Sequence, residues 1–168
     1  MDQIPQKLKE LLDLFVMLPG EQERIDFLIS YADKFIENPD KIAQLTEENN
    51  VPFCESGVYV WAAEQPDKTL KFYFAVQNPQ GISAKALTVI LDKTLSGEKP
   101  EKILNIPDDL VFKIFGQNLS MGKNMGLSGI VQMVKRKARQ SLSSSSSSSS
   151  SLGSSSGSNL LPQAGSGS

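Results

Sequence analysis

The stretch Gly57-Val58-Tyr59-Val60-Trp61-Ala62-Ala63, followed by Gln65-Pro66-Asp67-Lys68 and Thr69-Leu70-Lys71-Phe72-Tyr73-Phe74-Ala75-Val76, decides the fold class. Here the apolar residues stop recurring at helical spacing and begin to alternate. Both arms are rich in β-branched and aromatic residues, and the segment between them carries turn chemistry. On the second arm Leu70, Phe72, Phe74 and Val76 fall on one face of a strand. The pattern reads as a β-hairpin, with Glu48 to Val51 offering a short third strand. Tyr59, Trp61 and Tyr73 read as aromatics packed on the sheet.

Helical periods flank the hairpin on both sides. Pro5 is placed at the first position of a helix whose apolar stripe is Leu8, Leu11, Leu12, Phe15 and Leu18. Pro19-Gly20 stops it. Glu21 and Glu23 open a second helix, where carboxylates complement the dipole. Its stripe is Ile25, Leu28, Ile29, Ala32 and Phe35, and the two helices read as an antiparallel pair. After the hairpin, Asn78-Pro79-Gln80-Gly81 breaks the sheet. Ala84 to Leu95 is the next helix, with Leu87, Ile90, Leu91 and Leu95 inward and Gly97 at C′. Short helical turns begin at Pro100 and Asp108. A last helix runs from about Asn124 to Arg139 on Leu127, Ile130, Val131 and Val134. The cations Lys135, Arg136, Lys137 and Arg139 read as favouring its C-terminal end. The expectation is an α+β fold, a small antiparallel sheet of two or three strands packed with helices.

Composition breaks after Gln140. Residues 141–168 hold no charged and no aromatic residue, and serine dominates. Such a stretch buries too little apolar surface to offset its ordering entropy. The expected organisation is a folded domain over residues 1–140 and a disordered Ser/Gly-rich tail over 141–168, whose apolar cluster is Leu160-Leu161-Pro162.

The inventory excludes much chemistry. With 17 basic and 19 acidic residues the chain lacks the basic balance of a nucleic-acid binder. No apolar run approaches a membrane span, and Met1-Asp2-Gln3-Ile4-Pro5 is not signal-peptide-like. Neither nucleic acid nor membrane is an expected partner. The chain has no histidine and one cysteine, Cys54. Nucleophile pairs that need an imidazole base are excluded, and Cys/His metal sites lack ligands. Gly122, Gly126 and Gly129 do not follow a strand, so they do not read as a phosphate loop. No metal and no cofactor of its own is expected. A free thiol without an export signal fits a reducing compartment, the cytoplasm. Glu47, Glu48 and Glu55 read as a solvated acidic loop rather than a group of proton acceptors. Cys54 falls in the connection before the hairpin. A loop cysteine can accept sulfur from another cysteine's persulfide with neither metal nor histidine, given access, thiolate character and a donor. The alternative is an inert cysteine packed as a small hydrophobe.

The segment Asn49-Asn50-Val51-Pro52-Phe53-Cys54-Glu55-Ser56-Gly57-Val58-Tyr59 resembles the active-cysteine loop of the SufE family, Asn-x-Val-x-Gly-Cys-Gln-Ser-x-Val-Trp. Leu95-Ser96-Gly97-Glu98-Lys99-Pro100-Glu101-Lys102-Ile103-Leu104 adds to the likeness. Leu119-Ser120-Met121-Gly122-Lys123-Asn124-Met125-Gly126-Leu127 is similar to the family's Leu-Ser-Pro-Ser-Arg-x-x-Gly-Leu. The three blocks stand in family order, and with the upstream helices the likeness spans residues 5–140. It implies a fold similar to that of the cluster scaffold IscU. It also implies an accessory protein of iron–sulfur cluster assembly rather than a stand-alone enzyme. Such a protein docks on a pyridoxal-phosphate-dependent cysteine desulfurase, takes its sulfane sulfur onto Cys54 as a persulfide, and stimulates its turnover. The sulfur then passes to an Fe–S scaffold or another acceptor.

Four of the chain's departures from the pattern bear on the site. Phe53 replaces the glycine before the cysteine, where glycine would permit a positive φ; it implies a different loop tip or an apolar contact with the partner. Glu55 replaces glutamine and adds a charge that disfavours thiolate. Tyr59 replaces tryptophan. Lys123 replaces arginine, keeping the charge and losing the bidentate fork. It reads as a cation for the thiolate or for an acidic patch on the partner, or else as a solvated lysine. Ser56 is kept from the pattern. Two other functions stay open: a regulatory module that docks on a desulfurase without taking sulfur, and a redox-sensing thiol.

Overall fold

Alternation puts Val58 and Val60 on the same face as Leu70, Phe72, Phe74 and Val76, and in the computed structural model, which describes residues 4–154, all six are buried. Strands β1 (Val58–Glu64) and β2 (Leu70–Val76) pair antiparallel, with Val60 opposite Phe74 and Trp61 opposite Tyr73. On the outer face the Trp61 and Tyr73 rings stack at 5.9 Å. The Gln65 N–H donates to the Thr69 carbonyl at 2.8 Å, closing the connection. Inside it the Asp67 carboxylate accepts from the Thr69 N–H and hydroxyl. The segment expected to add a third strand is instead a 3-10 turn, Glu47–Asn49, joined to β1 by a single bridge between Asn50 and Tyr59. The Asn49 side chain bonds inward to Gln44 and Lys137, and such side-chain bonds compete with an extended ladder.

The helices are α1 (Gln6–Met17), α2 (Glu21–Ala32), α3 (Ile82–Leu95), α4 (Pro100–Ile103), α5 (Leu110–Phe115) and α6 (Met121–Ser154). The expected α+β architecture holds. α3 covers the sheet along β2 and α6 covers it along β1. Leu87, Ile90, Leu91 and Leu95 of α3 are fully buried, and Gly97 follows at φ +93°. α1 buries Leu8, Leu11 and Phe15, with Pro5 capping it from outside rather than occupying its first position. α2 is rotated from the expected stripe. Leu28 and Ala32 are buried, whereas Ile25 and Ile29 are each 41% exposed. Phe27 turns inward instead, its ring 5.1 Å from that of Phe15. α1 and α2 do not pair chiefly with each other, because each has α3 to lean on.

α6 buries Leu127, Ile130, Val131 and Val134 as expected, together with Met133 and Ala138. It starts at Met121 and runs through the boundary placed after Gln140 as far as Ser154. Serine keeps its N–H, and a helix already formed extends by one hydrogen bond per residue. The change at Gln140 is therefore one of composition, and α6 crosses it. Leu160-Leu161-Pro162 lies outside the described residues. Because α6 continues, the cations at 135–139 stand within the helix rather than at its end. Two of them have side-chain partners instead: Lys135 Nζ lies 3.1 Å from Asp108 and Lys137 Nζ 2.6 Å from Asn49. No helix among the described residues is long and apolar enough to cross a membrane.

Candidate functional site

Cys54 sits in the loop that leads from the 3-10 turn into β1. The Val51 N–H donates to the Val58 carbonyl at 2.9 Å, and the Gly57 N–H to the Cys54 carbonyl at 3.1 Å. Gly57 takes φ +65°, which glycine adopts without strain. The exit of the loop is tied to the end of β2, where Gln77 and Asn78 donate their N–H groups to the carbonyls of Gly57 and Ser56, both at 3.0 Å.

The other side of the loop lies on α6, and glycines make that contact. A Cβ at Gly126 would stand 3.4 Å from Cys54 Sγ, and one at Gly129 would stand 3.0 Å from Val51 Cγ1. Sequence reasoning found Gly126 only as a motif position and gave neither glycine a packing role. The signal that would have found them is their spacing, three residues apart on one helix face beside a buried stripe. Gly81 plays the same part at the start of α3, where a Cβ would meet Ser56 Oγ at 2.7 Å.

Phe53 adopts φ +60° and is 77% exposed. The positive φ that glycine would permit is thus taken up by a phenylalanine, at a cost of about 1–2 kcal/mol for a residue with a Cβ. Its ring stands away from the protein.

Cys54 is half-buried. Burial pushes its thiol pKa up, the backbone N–H groups of Ser56 and Val58 pull it down, and the Glu55 carboxylate pushes it up again, with a net rise. The thiol therefore rests protonated at neutral pH, facing two N–H donors that would favour a thiolate once formed. It opens onto a cleft of about 420 Å³ lined by Glu55, Ser56, Gly81, Ser120 and Lys123, among others. Four of the five residues singled out from sequence thus meet at one cleft; Phe53 is set apart from it. Lys123 is an exposed side chain in the first turn of α6, its backbone N–H held by Ser120 Oγ at 3.2 Å. Glu48 does not join Glu55; it lines a separate cleft with Trp61 and Lys137. Among the described residues no three His, Cys, Asp or Glu side chains are grouped to hold a metal ion.

What this arrangement can do chemically is present one protonated thiol to a visitor, in a cleft that an exposed lysine also lines. Comparison with known proteins agrees with the motif blocks. The family model SufE, described as an Fe-S metabolism associated domain, matches residues 9–138. SufE-like protein 1, chloroplastic/mitochondrial, of Arabidopsis thaliana is 28% identical over 138 residues, covering 82% of this chain and 36% of the relative. The chain thus spans about a third of the length of that curated relative. The solution structure of a hypothetical protein from Thermus thermophilus superposes with a TM-score of 0.66 at 28% identity, covering 83% of this chain and 98% of that one. With a family match over most of its length, a fold shared with a solved structure and the cysteine loop in place, this chain belongs to the SufE family and to Fe–S metabolism.

Proposed function

We propose that the protein accepts sulfane sulfur from a pyridoxal-phosphate-dependent cysteine desulfurase onto Cys54, stimulates that enzyme by clearing its active cysteine, and passes the sulfur to an Fe–S scaffold or another acceptor. The observation that carries this reading is the position of Cys54, half-buried in its loop and opening onto a cleft that Glu55, Ser56 and Lys123 also line. The Cys54 thiolate attacks the outer sulfur of the donor's persulfide. The donor S–S bond breaks as a new one forms at Cys54 Sγ. The donor cysteine leaves as a thiolate and regains the proton that Cys54 gave up, so no electrons enter or leave. Because the resting thiol is protonated, docking must favour its ionisation, by pairing Glu55 with a cation or by bringing a cation to the thiol. The exposed Phe53 ring supplies an apolar contact for the partner. The thiol must stay reduced between cycles, which suits a reducing compartment such as the cytoplasm.

Mass spectrometry after incubation with a desulfurase, cysteine and pyridoxal phosphate tests the relay. The Cys54 peptide gains one sulfur atom, and Cys54→Ser abolishes both the gain and the stimulation of sulfide release. Full stimulation by Cys54→Ser would instead establish the docking module that works without taking sulfur.

A further inference from the structure

We infer that Lys137 is a positioning residue for Cys54: through Asn49 it anchors the thiol-bearing loop to α6. Lys137 and Asn49 are 9% and 6% exposed, and Lys137 Nζ donates to Asn49 Oδ1 at 2.6 Å. The Asn49 amide nitrogen donates in turn to the Gln44 carbonyl at 2.9 Å and to Gln44 Oε1 at 3.2 Å. Both ends of the asparagine amide are engaged, so its orientation is held from two sides. Burial lowers the Lys137 pKa, as does Arg136, while Glu48 raises it. A buried amine facing an uncharged amide adds little stability by itself, since its desolvation opposes the hydrogen bond. Its consequence is positional, because Asn49 is the residue from which the Cys54 loop departs.

From Asn49 the chain passes along α6. Val51 and Pro52 lie over Gly129, and Phe53 and Cys54 lie over Gly126. Gly126, Gly129 and Lys137 are three and eight residues apart in sequence, so they share one face of the helix over about three turns. The two glycines allow contact and have no side chain with which to hold the loop. Lys137 supplies a directional bond at the upper end of that track. If it is lost, the loop keeps its ties to β2 and can swing from α6, carrying Cys54 toward solvent.

That Lys137 serves sulfur acceptance rests on the function proposed above; the anchoring of the loop does not. The full chain is compared with Lys137→Met, with the pair Lys137→Met and Asn49→Leu, and with Lys137→Gln. The pair removes both members of the buried bond together, and the Gln44 carbonyl it also releases is only partly buried, so the fold is kept if the lone methionine does not keep it. The readouts are the rate at which iodoacetamide alkylates Cys54, deuterium exchange at the amides of Val51 and Gly57, and thermal melting. Alkylation is expected to accelerate about fivefold or more in the methionine variants, as when one hydrogen bond closing a local opening is removed. Loop exchange speeds with it, the melt remains cooperative, and Lys137→Gln, which still donates to Asn49, returns both toward the parent rate. A folded methionine variant, single or paired, whose Cys54 reacts at the parent rate overturns the inference even if its melting point falls. Faster alkylation in a protein whose parent never gains sulfur from a desulfurase would leave the anchoring intact and refute the proposed function.

Discussion

A methyl group on Gly126 would stand 3.2 Å from the Cα of Cys54, so helix and thiol loop touch where a side chain is missing. Alanine in a helix is favoured over glycine by about 1 kcal/mol. At Gly126 that gain is set against displacement of the loop. Gly126→Ala is expected to change unfolding free energy by less than about 1 kcal/mol while speeding alkylation of Cys54. Urea denaturation and thiol labelling read the two effects separately. A full propensity gain with unchanged labelling would mean that the loop does not press on the helix.

Phe53 holds a left-handed backbone with its ring in solvent. Phe53→Gly removes the Cβ penalty and adds chain entropy to the unfolded state, which partly cancels the gain. The expected result is a protein as stable as the parent or up to about 1 kcal/mol more stable, with weaker stimulation of a desulfurase. Paired denaturation and activity titrations check this. A clear loss of stability would show that the ring makes a native contact.

Glu55 raises the Cys54 pKa, after the larger effect of burial. Glu55→Gln should move the midpoint of the alkylation–pH profile to lower pH. The same raised pKa links the thiol to stability. Below the ordinary thiol pKa of about 8.5 both folded and unfolded chains hold the proton. Above it the unfolded chain ionises first, so the folded state binds more protons and stability falls as pH rises through the folded pKa. Denaturation between neutral and alkaline pH should therefore show a decline that is smaller in Cys54→Ala. An equal decline in both proteins would exclude the thiol as its source.

Ser56 is packed on Gly81 more closely than Cys54 is on Gly126. A Cβ at Gly81 would lie 3.0 Å from Ser56 Cβ as well as 2.7 Å from its oxygen. The hydroxyl can rotate, but the Cβ moves only with the backbone. Gly81→Ala is expected to destabilise by about 1–2 kcal/mol, and Ser56→Gly in that background should recover part of the loss. Thermal melts of the single and double variants decide it; no recovery would place the strain elsewhere.

Much of this molecule follows from short-range pattern. Alternation over Leu70–Val76 specifies a strand face, and spacing at Leu87, Ile90, Leu91 and Leu95 specifies a helix face, because side chains two, three or four residues apart point the same way in those elements. Residue inventory alone singled out Cys54 and removed imidazole chemistry. Tertiary structure decided what no local spacing encodes. It turned α2 so that Phe27 rather than Ile25 meets Phe15, separated Glu48 from Glu55, and gave Lys137 a partner 88 residues away instead of a helix end. It also set the thiol loop against bare glycine backbone on α6. Those relations depend on how finished elements pack, where the available volume and the need to satisfy buried polar groups select partners regardless of distance along the chain.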